Sequence, residues 1–414
     1  MTEPVIVVGG GLVGLSCAWF LRAAGAEVTV LEKGRPGGGA SRGNAGAICP
    51  SMADPLPAPG MIREALANLP RPDAALHVSP MYAPRMAGFL RRFAQAATRD
   101  RYEAGLAALA QLGRDVIPAY DELAAAGIGT HAERAGYLFV HRDRGAAREE
   151  REAVSRMASM GLCAEPGDIL DPDELRELEP LLSDAVQGGF VLPDERWIDP
   201  SMFVDDLAEG VREAGVKIVE CSGAERVRST TAGAVAETVG DAYEAGTVVL
   251  AAGVWTKDLT ARLGLKLQMY PGKGYSFAVR PDPLPERLLY FGDAHVIGAR
   301  MGDRFRVAGT MEFDGTTDRF NRGRVEAIVR GLQPLLDGVD LAERDEEWVG
   351  PRPVTPDGLP YLGRVPGHEN VVLAAGHNML GLTLAPPTGR AIAGLVTADD
   401  PGIDLAPFDP ARFG

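Results

Sequence analysis

Cysteine and lysine are both scarce, and long apolar runs are missing from this 414-residue sequence. The four cysteines, Cys17, Cys49, Cys163 and Cys221, form no CxxC pair and follow no metal-ligand spacing, so no zinc or iron–sulfur site is expected and reduced thiols are. Lysine and arginine number 42 against 57 acids, a formal net charge of −15, and they form no basic run. Phosphate backbones are bound by clustered cations, so nucleic acid is not an expected partner. No stretch of about 18 consecutive apolar residues occurs, and no transmembrane helix is expected. The fourth residue already leads into an apolar strand, with no basic region or small-residue cleavage site before it, which reads as a cytoplasmic protein.

Glycine, by contrast, is abundant: 51 residues, with 31 prolines and 46% hydrophobic residues. The length implies two or three domains at about 150 residues each. The glycines gather in a few places. Val5-Ile6-Val7-Val8 is a β-branched run suited to a parallel strand buried on both faces, and Gly9-Gly10-Gly11-Leu12-Val13-Gly14 follows at once. Residues Leu15 to Ala24 then have helical spacing and stop at Gly25; a second strand, Val28 to Leu31, ends at Glu32. This is the GxGxxG fingerprint in its strand–turn–helix–strand setting. Gly9 permits the tight turn, Gly11 the approach of a pyrophosphate, and Gly14 close helix–strand packing; the helix N-terminus faces the anion and Glu32 takes a ribose hydroxyl. An acid at that place favours FAD or NAD over NADP. The glycine-rich loop from Lys33 to Gly46 is too irregular for a crossover helix and suits a chain tracking an extended cofactor, which favours FAD.

Two further strands end in small residues: Val248 to Ala252 before Gly253-Val254-Trp255, and Val371 to Ala375 before Gly376-His377-Asn378-Met379-Leu380-Gly381. The second opens a terminal helix through Gly389 to Val396, whose N-terminus is placed to stabilise negative charge on a reduced flavin. Asp199-Pro200 predicts an N-capped helix over 203–214, followed by a strand over 216–219. Residues 61–179 read as largely helical, with amphipathic stretches at Met86 to Phe93 and Leu106 to Leu123; residues 256–344 read as strand-rich. The acidic run Glu343 to Glu347 reads as a solvated face. The expected division is a discontinuous nucleotide-binding domain (1–60, 180–255, 345–414) and a cap domain inserted in two pieces (61–179, 256–344).

The chain resembles the FAD amine oxidoreductases of the D-amino acid oxidase superfamily, in their glycine oxidase and D-amino acid dehydrogenase branch. The likeness runs along nearly the whole length: the N-terminal fingerprint, Asn44-Ala45-Gly46-Ala47-Ile48, Ala251 to Trp255, Lys273-Gly274-Tyr275-Ser276, Gly309-Thr310-Met311-Glu312, Arg352-Pro353-Val354-Thr355-Pro356-Asp357-Gly358 and Gly376-His377 with Gly381. Pro50 to Gly60 resembles the dehydrogenases, whereas Ala375-Gly376-His377 and Leu384-Ala385-Pro386 resemble glycine oxidase. Met379 stands where glycine oxidases place a second Arg, and His295-Val296 where they place a substrate-contacting Tyr, so glycine is not the expected preference.

The resemblance implies an α/β fold, a glutathione-reductase-type, Rossmann-like FAD domain interleaved with an α+β cap. It also implies oxidative deamination of a D-amino acid to a 2-oxo acid and ammonia. Alternatives are a D-hydroxyproline dehydrogenase, a glycine, sarcosine or opine-type oxidase, and, in a different class, an FAD-binding electron-transfer subunit of a complex. FAD contacts are expected from Gly9, Gly11, Leu12, Val13, Gly14, Glu32, Lys33, Ala40, Ser41, Asn44, Ala45, Gly46, Ala47, Val227, Ala252, Gly253, Trp255, Gly376, Leu380, Gly381, Leu382 and Thr383. No cysteine follows Cys221, which suits non-covalent FAD. Arg352 matches the family's carboxylate-binding arginine, and its planar fork and fixed charge suit that task. His377, Tyr275 and Met311 complete the candidate catalytic set, each with core packing as its alternative. Lys273, one of five lysines, is either a site residue or a strand-end charge. Oxygen and a quinone are both open as electron acceptor. Met81 to Phe93, with Arg85, Arg91 and Arg92 beside apolar residues, is a candidate peripheral membrane contact or an ordinary cap helix.

Overall fold

The strand Val5–Val8 has no polar side chain to place in water and is buried along its whole length. In the structure, a computed structural model describing residues 3–63, 74–398 and 400–413, it is an inner strand of a six-stranded sheet. It pairs in parallel with Val28–Leu31 on one side and Thr247–Leu250 on the other. Lys217–Val219 lies beyond the first of these and His368–Ala375 beyond the second, both parallel; antiparallel Tyr361–Val365 closes that edge.

Strand side chains alternate between the two faces of a sheet. Accordingly Val5, Val7, Val28 and Val30 pack under the helices Leu12–Ala23, Pro200–Glu213 and Gly381–Ala398. Ile6, Val8 and Leu31 pack beneath a three-stranded meander formed by Arg226–Thr230, Gly233–Glu237 and Ala242–Ala245. The N-cap expected at Asp199 is present: its carboxylate accepts from Ser201 N (2.8 Å) and Met202 N (3.2 Å), with Pro200 opening the helix.

A second, eight-stranded sheet is built around the antiparallel strands Tyr270–Val279 and Arg304–Phe313. Two of its members fall outside the expected cap segments. Gly188–Leu192 pairs with Tyr137–His141, and Asp345–Val354 pairs with Tyr270–Val279. The expected boundaries at 180 and 345 therefore do not follow the sheets. The acidic run enters this last strand, where Glu346 pairs with Arg304 and Arg306.

Among the described residues the helical reading of 61–179 is met by helical residues 61–63 and five further α-helices and interrupted by strands at Leu76–Val78 and Tyr137–His141; residues 64–73 of that stretch lie outside the described residues. The single stretch expected over Leu106 to Leu123 is two helices, Arg99–Gly113 and Val116–Ala125. Gly113 weakens the first at its end, and Pro118, which has no N–H to donate, is tolerated only in the first turn of the second. Both pack into the core of the parallel sheet's helical layer through Leu109, Leu112, Val116 and Leu123, rather than onto the second sheet.

Candidate active site

The carboxyl ends of Val5–Val8, Val28–Leu31, Thr247–Leu250 and His368–Ala375 open into one cavity of about 1610 Å³ that continues between the two sheets. Its first part is a cradle of backbone. Gly9 has φ +111°, and a Cβ there would lie 2.5 Å from Ala251 O; at Gly14 a Cβ would collide with the carbonyl of Gly9. The first turn of Leu12–Ala23 faces the cavity through Leu12 and Val13, with no side-chain cap from Gly11. Leu12 N donates instead to Ser41 Oγ at 3.2 Å.

Glu32 is buried at the end of its strand and accepts from Gly10 N (2.7 Å) and Gly34 N (2.9 Å), which fixes the carboxylate toward the cavity it lines. Lys33 Nζ sits 3.1 Å from the centre of the Trp255 ring, and burial lowers its pKa against the opposing pull of Glu32 and Asp318. Asn44 shapes the loop, donating to Ser41 O and accepting from Gly46 N. At the far end Gly381, Leu382 and Thr383, the first turn of Gly381–Ala398, line the wall, and Thr383 Oγ1 bridges Cys49 N (3.3 Å) and Ala47 O (3.2 Å).

Of the expected cofactor contacts, all but three line this cavity. Gly14 and Gly46 act behind it: Gly46, at φ +74°, is pressed against Ile198 O and Met301. Val227 turns into the core under the meander, and Gly223, Ala224 and Glu225 line the wall in its place. Strand alternation sends Val227 inward, a register that the isolated sequence did not reveal.

Arg352 lies on the continuing wall, in Asp345–Val354. Its guanidinium lies over Gly274, where a Cβ would overlap it, and Nη1 donates to Thr310 O at 2.6 Å. Among the described residues no carboxylate pairs with it, and burial lowers its pKa to about 10, so it remains charged at neutral pH. Met311 lines the wall beside it, in a cluster with Phe89, Phe93 and Phe313.

The other two candidates, His377 and Tyr275, also line the cavity, with polar atoms engaged by other side chains. His377 Nε2 pairs with Thr388 Oγ1 at 3.0 Å inside the terminal helix layer, and burial depresses its pKa to about 3, which keeps the ring neutral. Tyr275 reaches the cavity wall, but its hydroxyl donates to Glu312 at 2.5 Å, within the second sheet's core. Lys273 is neither a cavity group nor a solvent charge. It is fully buried, with Nζ 2.8 Å from Asp314, 3.0 Å from Glu312 and 2.7 Å from Arg319 O. Asp54 and Glu150, which sequence reasoning passed over, also line the cavity; burial raises Asp54 to about 6 despite a hydrogen bond from Tyr102.

The family model described as FAD dependent oxidoreductase matches residues 4–395. The chain is a member of this DAO family. Curated relatives named D-amino acid dehydrogenase, from Methylobacterium sp. strain 4-46 and Methylobacterium nodulans, are 31% and 32% identical to this DAO-family chain, with 99% of both sequences covered in each case. Glycine oxidase from Geobacillus kaustophilus has a similar structure, with TM-score 0.74, 26% identity and full coverage of both chains. L-proline dehydrogenase from P. horikoshii shares the fold at TM-score 0.74 and 20% identity, covering 100% of this chain and 98% of that one.

The DAO family is FAD-dependent, and the residues present fit that cofactor: a glycine cradle that a single Cβ would fill, a helix N-terminus already attracting a hydroxyl oxygen, and a fixed acid for the ribose. Gly9→Ala, which drives a methyl into Ala251 O at a positive φ, is expected to lower the flavin content of the purified protein by about tenfold or more. The ratio of visible flavin absorbance to protein absorbance measures it. Among the described residues no group of three or more acidic, histidine or cysteine side chains is placed to hold a metal, and no helix is long and apolar enough to cross a membrane.

Proposed function

We propose that this FAD-dependent oxidoreductase removes the amino group of a D-amino acid oxidatively. Arg352 carries the proposal: a charged guanidinium on the wall of the cofactor cavity, donating to a backbone carbonyl and, among the described residues, paired with no acid. A planar fork in that state suits a substrate carboxylate. The names of the full-length relatives support the D-amino acid, and the glycine oxidase neighbour supports an amine on the α-carbon.

Bound FAD supplies the two-electron acceptor for the hydride of Cα, and the imine left behind takes up water to give a 2-oxo acid and ammonia. The chain's own contribution is positional. Arg352 holds the carboxylate, Met311 and its aromatic neighbours wall the chamber, and the first turn of Gly381–Ala398 presents N–H dipoles where negative charge accumulates. His377, neutral and bonded to Thr388, supports that turn instead of exchanging protons with substrate. FAD is held without a covalent bond. Of the four cysteines only Cys49 lines the cavity, and burial, with the Glu195 charge beside it, pushes its pKa well up and keeps the thiol protonated.

Anaerobic mixing of the holoenzyme with a panel of D-, L- and N-substituted amino acids tests the reading. Bleaching of the visible flavin band by D-amino acids is the expected result; bleaching by none of the panel would remove the amino-acid assignment and favour an electron-transfer subunit. Comparing hydrogen peroxide formed with dye reduced then separates oxygen from another acceptor. Contact with a membrane surface is supported by Met81, 91% exposed, and Leu90, both beside the exposed Arg85 and Arg91. Co-sedimentation with anionic vesicles that is lost in Arg85→Glu/Arg91→Glu is the expected outcome.

A further inference from the structure

Thr310 has φ +55°, a left-handed conformation that is costly for a β-branched residue and persists only where its surroundings enforce it. Those surroundings are visible. Its hydroxyl donates to Ala75 O at 2.9 Å and accepts from Arg324 Nη2, and Arg324, itself buried, also donates to Ala74 O at 2.5 Å. The pairing of Arg304–Phe313 with Tyr270–Val279 shifts register at this place, between Lys273 and Tyr275. The turned backbone delivers the Thr310 carbonyl to Arg352 Nη1 at 2.6 Å, and across the ladder Gly274 leaves the space in which the guanidinium lies.

We propose that Thr310 and Gly274 form a dedicated seat for Arg352 and set its orientation toward the substrate carboxylate, with Arg324 locking Thr310 in its left-handed conformation. Both are positioning residues, and the proposal rests on the carboxylate role given to Arg352 above. The Thr310 hydroxyl is the lock. Without it nothing on the side chain opposes relaxation of the backbone to negative φ, which would turn the carbonyl away from Arg352. Gly274 is the floor, because any side chain there would push the guanidinium off its place.

Thr310→Val keeps the β-branched shape and deletes the hydroxyl; Thr310→Ser keeps the hydroxyl. Anaerobic reduction of the holoenzyme by its best amino acid substrate gives an apparent dissociation constant and a limiting rate. For Thr310→Val the constant is expected to rise about tenfold with the limiting rate within about threefold of wild type, and Thr310→Ser is expected to restore it. Gly274→Ala, a second and independent variant, should give the same split. An affinity unchanged in both Thr310→Val and Gly274→Ala, or a loss that Thr310→Ser does not rescue, would overturn the seat. Titration of the flavin spectrum with benzoate applies the same test without turnover. It keeps failure of the seat distinct from failure of the D-amino acid reading: benzoate affinity lowered in Thr310→Val and Gly274→Ala supports the seat whatever the substrate proves to be, and benzoate affinity unchanged in both overturns it.

Discussion

Replacing Arg352 with alanine is expected to lower kcat/KM for the amino acid substrate by roughly a hundredfold or more, the equivalent of about 3 kcal/mol lost from a desolvated charge pair. The residue is placed for such an effect, since among the described residues no acid shares its charge and the acceptor it meets, the Thr310 carbonyl, is neutral. The loss should fall chiefly on apparent affinity, because a carboxylate gripped throughout the reaction contributes to substrate and transition state alike. Arg352→Lys should recover little: a point charge on a flexible stem does not reproduce the planar fork, and the flat space over Gly274 is shaped for a guanidinium. Flavin content should stay at the wild-type level in both variants, since the cradle of Gly9, Gly11 and Glu32 lies on the other sheet. Unchanged affinity for a carboxylate substrate in Arg352→Ala would remove the residue from its assigned role.

The cofactor half of the molecule was readable from sequence because its instructions are local. A β-branched run, three glycines at fixed spacing, a helix and a terminal acid lie within 32 residues, and the backbone contacts that make the cradle form between near neighbours or through glycines whose need is visible in the chain. The cap half was read in outline only. Strands Gly188–Leu192 and Asp345–Val354 join the second sheet through pairings with partners about 50 and 75 residues away, and no local pattern announces such partners. The same distinction runs through the site. Arg352 was found by its motif, whereas its seat, Thr310, lies 42 positions upstream and is set by a left-handed backbone that no residue preference signals. Tyr275 and His377, site candidates with core packing as the alternative, line the cavity while their polar atoms meet Glu312 and Thr388, contacts of 37 and 11 positions that composition does not encode.

Lys273→Met is expected to cost about 3–5 kcal/mol of stability, a large share of the roughly 5–15 kcal/mol that holds a typical protein folded, and to lower the unfolding temperature by roughly 5 °C. The ammonium is fully buried and contacts both Glu312 and Asp314, and its removal takes away the cation that these two carboxylates share. For both acids burial is the largest single influence and raises the pKa. It is outweighed by hydrogen bonds, from Tyr275, Asn321 and Lys273 to Glu312 and from Lys273 and Thr316 to Asp314, so both pKa values end below their ordinary 4.5 and 3.8. A carboxylate depressed in the folded state contributes stability above its unfolded pKa and loses it as pH falls through the folded value. The difference in stability between wild type and Lys273→Met should therefore be full at neutral pH and shrink below about pH 4.5, where protonated carboxyls no longer need the cation. Adding Glu312→Gln and Asp314→Asn to Lys273→Met should recover much of the loss at pH 7, because uncharged amides do not leave a buried charge unpaired. A difference that stays constant with pH, or below about 1 kcal/mol at neutral pH, would reduce Lys273 to an ordinary packing residue. The consequence reaches the site: Lys273 and Tyr275 flank Gly274, Glu312 is two positions from Thr310, and the ion network joins these two strands where they carry the seat of Arg352. Lys273→Met is thus expected to raise the apparent dissociation constant for substrate as well, an effect that a purely global loss of stability would not produce in the folded fraction.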